Sequence, residues 1–231
     1  MQNQTGRSHR DKLDFDPDAL RKRYRAERER RLRPDAAEQY FVPSSADFSY
    51  FPEDPYAEPL PDREPIEEEV DALVIGGGLG GTLAAAHLKK AGITKVRIVE
   101  RAGDFGGTWY WNRYPGLHCD LQSYIYLPFL EETGYMPSRR YVSGAEILGH
   151  FQRIGRYFGL YDDALFQTHV RGLEWSEPRQ RWTVRTSRGD AIAARFVVIS
   201  AGPLGRPKMP RVPGIEQLEA HTFHTSRWDY G

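Results

Sequence analysis

The chain reads as an α/β fold: a parallel sheet with a crossover helix, continued by an antiparallel meander and preceded by a long polar arm. Three observations predict it. A short stretch that reads as a buried strand, Val70 to Ile75, is followed by a glycine-rich turn, a helical stretch and a second strand, Lys95 to Glu100. That strand–turn–helix–strand unit has the size of a parallel crossover, about 30 residues. Three later runs, Thr168 to Trp175, Arg181 to Ser187 and Ala191 to Ser200, are separated by turns short enough for a meander. Finally, the stretch before Ile66 differs from the rest in its charge and proline content. The chain therefore divides into an arm over 1–65 and an α/β domain over 66–231.

Within the arm, Asp16-Pro17 marks a helix start, with proline at the first helical position. Arg21 to Arg33 continues it as a strongly basic helix, a solvated face or a contact arm. Tyr40 to Pro65 has repeated prolines and little periodicity, which predicts an extended segment lying on a surface. Its aromatics, Tyr40, Phe41, Phe48, Tyr50, Phe51 and Tyr56, are what it would pack with. In the domain, Leu79 to Ala91 reads as a helix stopped by Gly92. Ser143-Gly-Ala-Glu146 has capping-box spacing and opens a helix with Ile147, Phe151, Ile154 and Phe158 on one face. The last meander strand ends in Phe196 to Ser200, an apolar run suited to the central sheet, and then Ala201-Gly202.

Composition narrows the function. Lys and Arg total 32, as do Asp and Glu, so no long-range field attracts nucleic acid or an anionic membrane. The single cysteine, Cys119, excludes an intrachain disulfide and a multi-cysteine metal site, and no metal is expected. We read Cys119 as a small buried residue. The polar start, Met1 to Arg10, lacks the apolar core of a signal peptide, which predicts a cytoplasmic protein. Ala72 to Leu88 carries no formal charge, but it is short for a membrane span and rich in glycine.

The turn at Gly76-Gly77-Gly78-Leu79-Gly80-Gly81 satisfies GxGxxG between a strand and a helix. Gly76 permits the tight turn, Gly78 lets the backbone approach a pyrophosphate, and Gly81 lets helix and strand pack closely. The helix N-terminus adds free N–H groups and a partial positive charge. An acid roughly 20 residues on, Glu100, ends the second strand, where a carboxylate accepts hydrogen bonds from ribose hydroxyls. The pattern predicts a dinucleotide site. It does not choose between FAD and a nicotinamide, although Glu100 disfavours a 2′-phosphate there.

The segment Gly106 to Asp120, GGTWYWNRYPGLHCD, packs two glycines, two tryptophans and a Tyr-Pro-Gly turn into one loop. It resembles the fingerprint of Baeyer–Villiger flavin monooxygenases, a Gly-Gly-x-Trp run leading to Tyr-Pro-Gly and an aspartate. The likeness continues through Asp120 to Tyr126, Ser200-Ala201-Gly202 and Arg206 to Gly214. Leu218 to Trp228 is similar to the family's second fingerprint, FxGxxxHxxxW, with His224 and Trp228 matching. Leu218 and Ala220 depart from it, and Asp229 stands where proline is frequent. The arm also looks like the extension carried by members acting on large cyclic or steroid ketones.

The resemblance implies a Rossmann-like FAD-binding domain, with NADPH as second cofactor, and insertion of one oxygen from O2 into a ketone to give an ester or lactone. By the same resemblance, Gly76, Gly78 and Gly81 would hold the FAD pyrophosphate and Glu100 the adenosine ribose. Gly107, Thr108 and Trp109 would line the flavin side, Asp120 would serve catalysis beside flavin and nicotinamide, and Tyr126 would lie nearby. Val170 would offer backbone atoms to the adenine, and His224 and Trp228 would form the interdomain connection. The stretch after Gly202 is short, extended and Pro-rich, with no second GxGxxG, whereas a second crossover unit needs about 30 residues. We therefore expect a chain that lacks the NADPH domain, has no ketone-oxidising activity alone, binds FAD weakly or not at all, and leaves an unpaired sheet edge. Two other readings stay open: a flavin oxidoreductase without oxygen insertion, and a fragment or split-enzyme subunit with a separately encoded C-terminal half. The absence of CxxC argues against a disulfide reductase.

Overall fold

The computed structural model describes residues 14–43, 51 and 53–230. The polar start and the aromatics Phe48 and Tyr50 lie outside the described residues. In the arm, α1 (Pro17–Arg31) is capped by Asp16, whose side chain accepts from Asp18 N at 2.9 Å, and it buries no residue. β1 (Tyr40–Phe41) follows. Then come β2 (Glu67–Ile75), α2 (Leu79–Lys90) and β3 (Val96–Val99), the crossover unit. α2 stops at Gly92, whose φ of +85° suits glycine.

Three single turns follow, α3 (Thr108–Trp111), α4 (Ser123–Tyr126) and α5 (Leu130–Thr133), then the long α6 (Gly144–Tyr157). The chain ends in β4 (Ala164–Leu165), β5 (Val170–Ser176), β6 (Arg181–Thr186), β7 (Ala191–Ile199) and β8 (Met209–Pro210). The main sheet has the order β4-β3-β2-β7-β6-β5. β4, β3, β2 and β7 run parallel, while β7, β6 and β5 form the antiparallel meander. No helix among the described residues is long and apolar enough to cross a membrane.

Alternation along β2 explains its continuous apolar run. Leu73 packs with Val99, Val184 and Ile192 on one face, and Val74 packs with Ala85, Ile98 and Phe105 on the other. A strand covered on both faces carries apolar side chains on each, here Ala72, Leu73 and Val74, with the half-buried Asp71 just before them. On α6, Ile147, Phe151 and Ile154 are fully buried, as their helical spacing predicts. Its predicted capping box forms by half. Ser143 Oγ accepts from Glu146 N at 3.3 Å, but the Glu146 carboxylate turns away to Tyr135 Oη at 2.6 Å and to Ser138 N at 2.8 Å.

The arm does more than lie on a surface. β1 pairs with β8, and Phe51 is completely buried beside Met209. Nearer the domain, Arg63 forms two hydrogen bonds of 2.6 and 2.9 Å with Asp190, which is itself buried and accepts from Thr186 Oγ1 and Ile66 N. This pins the arm's end to the β6–β7 turn. The expected free edge is present. Ala191 to Ala194 pair with both β2 and β6, whereas Phe196 to Ile199 pair with β2 alone. Phe196 is 60% exposed and Ile199 67%.

Candidate dinucleotide site

The glycine turn leaves β2 and is held from two sides. Gly76, with φ +103°, donates to Val99 O at 2.9 Å, and a Cβ there would collide with the Ser200 carbonyl at the end of β7. Gly78 caps α2, and its carbonyl accepts from Thr82 N and Thr82 Oγ1. Gly81 is buried against the Gly76 carbonyl, with no room for a side chain. Gly76 and Gly81 are therefore required by space or by backbone angle, whereas Gly78 has an ordinary φ of −79° and a Cβ on it would lie 3.3 Å from the Gly107 Cα. The first N–H groups of α2 have no acceptor within the helix and point out of its positive end.

The Trp-rich loop meets this turn directly. Gly106 N donates to Gly77 O at 3.0 Å. Gly107, with φ +53°, lies so close to Gly78 that a Cβ on it would sit 2.6 Å from the Gly78 Cα. Two segments far apart in sequence thus make one backbone cradle. α3 starts at Gly107, so Thr108 and Trp109 follow at once. Trp109 is buried, and its Nε1 donates to Tyr126 Oη at 2.7 Å with the rings edge to face. Burial raises the Tyr126 hydroxyl pKa, and the nearby Cys119 and Asp120 add to the effect. Asp120 is exposed next to the buried Cys119. Gly107, Thr108, Trp109, Tyr126 and Asp120 therefore belong to one wall.

Glu100 comes to the turn, but it faces inward. It is 6% exposed, and its carboxylate accepts from Ala102 N at 2.6 Å and from Gly77 N. Burial raises its pKa, against the two amide hydrogen bonds, which lower it. Each oxygen keeps a second lone pair. Val170 begins β5, two residues after Thr168, whose N–H donates to Glu100 O at 2.9 Å. Its side chain packs into the core with Val99 and Leu165.

His224 and Trp228 lie elsewhere. His224 Nδ1 accepts from Ser226 N at 3.1 Å, and burial lowers its pKa. Trp228 N donates to Tyr56 Oη at 3.1 Å, on the arm. Among the residues that join the arm to the loop and the tail, Tyr56 is one of the arm aromatics expected to pack, whereas Asp54 and Arg227 carry no mark of their own in the sequence. The aromatic density of Tyr40 to Pro65 was the available signal. A cavity of about 390 Å³ opens between α6 and the loop, lined among others by Trp109, Arg113, His118, Ser143 and Gln152. It shares only Trp109 with the predicted cofactor residues, so it is not the dinucleotide cradle. Among the described residues no cluster of His, Cys, Asp and Glu could hold a metal.

A profile of the family described as pyridine nucleotide-disulphide oxidoreductase matches residues 73–231, the crossover unit, the loop and the meander together. The chain belongs to that family. With one cysteine, it has no redox-active disulfide of its own. Inside the family its sequence is similar to Baeyer–Villiger monooxygenases. It is 52% identical to one from Streptomyces coelicolor, over 91% of this chain and 35% of that protein. It is also 52% identical to Baeyer–Villiger monooxygenase 4 of a Dietzia species, over 95% and 36%. Among solved structures, the polycyclic ketone monooxygenase of Thermothelomyces thermophila superposes with a TM-score of 0.80 at 36% identity, covering 92% of this chain and 37% of that one. A steroid monooxygenase bound to NADP gives 0.65 at 38% identity, covering 70% and 31%. The chain spans about a third of the length of the relatives it matches.

Proposed function

We propose that this chain is the FAD-binding N-terminal part of a flavin monooxygenase that inserts one oxygen atom of O2 into a ketone, giving an ester or lactone at the expense of NADPH. The observation that carries this reading is the shared cradle, in which Gly78 and Gly107 meet backbone to backbone and Gly106 donates to Gly77. Residues 66–231 are part of the FAD domain, and 1–65 are its arm. Gly76, Gly78 and Gly81 leave backbone room for a pyrophosphate at the positive end of α2. Glu100 offers lone pairs to the adenosine ribose, and Val170 lies on the adenine side. Gly107, Thr108 and Trp109 face the flavin, with Tyr126 fixing the Trp109 ring. Asp120 places a carboxylate at the exposed rim, beside flavin and nicotinamide. His224 and Trp228 belong to the connection toward the NADPH domain.

FAD, when bound, supplies the redox and oxygen chemistry. The protein's part is to orient the cofactor and exclude water around it. The protein works in the cytoplasm, on a ketone and O2, with neither nucleic acid nor a membrane as partner. The NADPH-binding half is supplied from beyond these residues, in the same polypeptide or in a separate one.

A chimaera tests this. These residues replace the corresponding third of the Streptomyces coelicolor relative, and the product is assayed for bound flavin and for ester from a cyclic ketone. The expected result is a yellow protein that forms ester with NADPH and O2. Flavin reduction without ester would favour an oxidoreductase without oxygen insertion, and a colourless folded chimaera would remove the FAD assignment.

A further inference from the structure

We infer that the arm segment 53–57 is a clasp that fastens the Trp-rich loop to the His224–Trp228 segment, and that Asp54 and Tyr56 are positioning residues for the loop that carries Gly107 to Trp109. The inference deepens the cofactor reading above and rests on it for its functional meaning.

The contacts converge on five residues of the arm. Asp54 Oδ2 accepts from Gly103 N at 2.9 Å and from Tyr110 Oη at 2.8 Å, which are the two ends of the stretch leading into α3. Asp54 Oδ1 accepts from Tyr56 N at 3.0 Å and so fixes the clasp's own turn. Gly103 has no space for a side chain, because a Cβ there would overlap the Ala57 methyl. On its other side the clasp holds the tail. Tyr56 Oη accepts from Trp228 N at 3.1 Å, and Glu53 O accepts from Arg227 Nε at 2.9 Å.

Stacked cations close the assembly. The Arg113 guanidinium lies 4.0 Å from the Tyr56 ring centroid and 4.6 Å from that of Tyr110. Arg227 lies 3.9 Å from the Trp111 ring, and Arg101 lies 4.5 Å from the same ring. Arg227 is 5% exposed, and its Nη2 has no hydrogen-bond partner. A buried cation without a carboxylate partner is costly unless an aromatic face or a nearby charge offsets it. Burial lowers the pKa of both Arg227 and Arg101; Trp111 supplies the face, and the Asp54 charge works against that lowering. Asp54 thus serves the loop through hydrogen bonds and the tail through charge. Trp111 ends the same helical turn that begins at Gly107, so a shift of the clasp moves the cradle.

Amide hydrogen exchange on the whole 231-residue chain tests the clasp without cofactor. Asp54→Asn keeps the shape and removes the charge; Tyr56→Phe removes only the hydroxyl that accepts from the tail and keeps the ring against Tyr110 and Arg113. The clasp predicts that Tyr56→Phe speeds exchange about tenfold in residues 103–111 as well as in 224–230, since tenfold corresponds to one lost hydrogen bond's worth of protection. Asp54→Asn should do the same in both segments, leaving the β5–β6 hairpin unchanged. Acceleration confined to the segment bonded to the substituted residue overturns the inference. So does a uniform rise that includes the hairpin, which would mark a general loss of stability. If the chimaera with the Streptomyces coelicolor relative binds no FAD, the cofactor reading falls, while the exchange pattern of the 231-residue chain still decides the clasp.

Discussion

The contact between Gly78 and Gly107 makes a sharp stability prediction for Gly107→Ala. Two costs add. Alanine at φ +53° and ψ −117° would sit outside the left-handed well, in a region almost confined to glycine, which costs about 1–3 kcal/mol. Its methyl carbon would lie 2.6 Å from a backbone atom, the Gly78 Cα, which no rotamer change can relieve. Forcing a methyl into packed surroundings costs about 1–3 kcal/mol. The sum is about 2–6 kcal/mol, or a fall in Tm of roughly 5–25 °C for a chain of this size. Gly116→Ala is the matched control, because Gly116 also has a positive φ, +79°, with nothing within 4 Å of the added carbon. It should lose only about 2–4 °C, the backbone cost alone. Circular dichroism melts of the two variants beside the wild type measure the difference. Equal losses would refute the close approach of turn and loop, and with it the single cradle.

Other expectations concern the supports of the site. Asp190→Ala should cost about 2–3 kcal/mol at neutral pH in urea unfolding, since it strands the partly exposed Arg63 and removes an acceptor from Thr186. The Arg63 guanidinium holds the Asp190 carboxyl well below the usual carboxylate range. Its stabilisation is therefore complete above about pH 4, the unfolded pKa, and drains away as the pH falls further, so Asp190→Asn should flatten the acid limb of the stability curve. Tyr126→Phe leaves the Trp109 Nε1 without its acceptor, and a loss of about 1–3 kcal/mol together with a shifted tryptophan emission should follow. His169 is pushed down to about 4 by burial, with Arg101, Arg171 and Arg206 adding repulsion. Its imidazole resonances should titrate near that value, and the stability it gives should fall as the pH drops from about 6.5 toward 4, because the unfolded histidine takes up the proton first. A midpoint near 6.5 would contradict the packing of His169.

Much of the fold was legible because it rests on local rules. The turn glycines, the two faces of β2, the stop at Gly92 and the Asp16 cap each follow from a few adjacent residues. The return of β7 to the central sheet also followed, from the apolar run at Phe196 to Ser200, although its parallel pairing with β2 did not. What the sequence left dark is long-range and aperiodic. β1 and β8 are two residues each, and pairing Phe41 with Met209 leaves no periodic mark. The stacking of Arg101 and Arg227 on Trp111 joins three separate segments through shape alone. The inward turn of Glu100 arises because Gly77 N and Ala102 N, donors close at hand, compete for its oxygens. Glu146 behaves likewise, since Tyr135 and Ser138 draw it from the capping box.

The central claim is that the glycine turn and the Trp-rich loop grip one flavin dinucleotide. Amide hydrogen exchange of the chimaera with the Streptomyces coelicolor relative, with millimolar FAD and without it, tests it most directly. The account predicts slower exchange in residues 76–81 and 106–109 together, at the same FAD concentration. Protection of one segment without the other, of neither, or of the α6 residues lining the separate cavity in their place would contradict it.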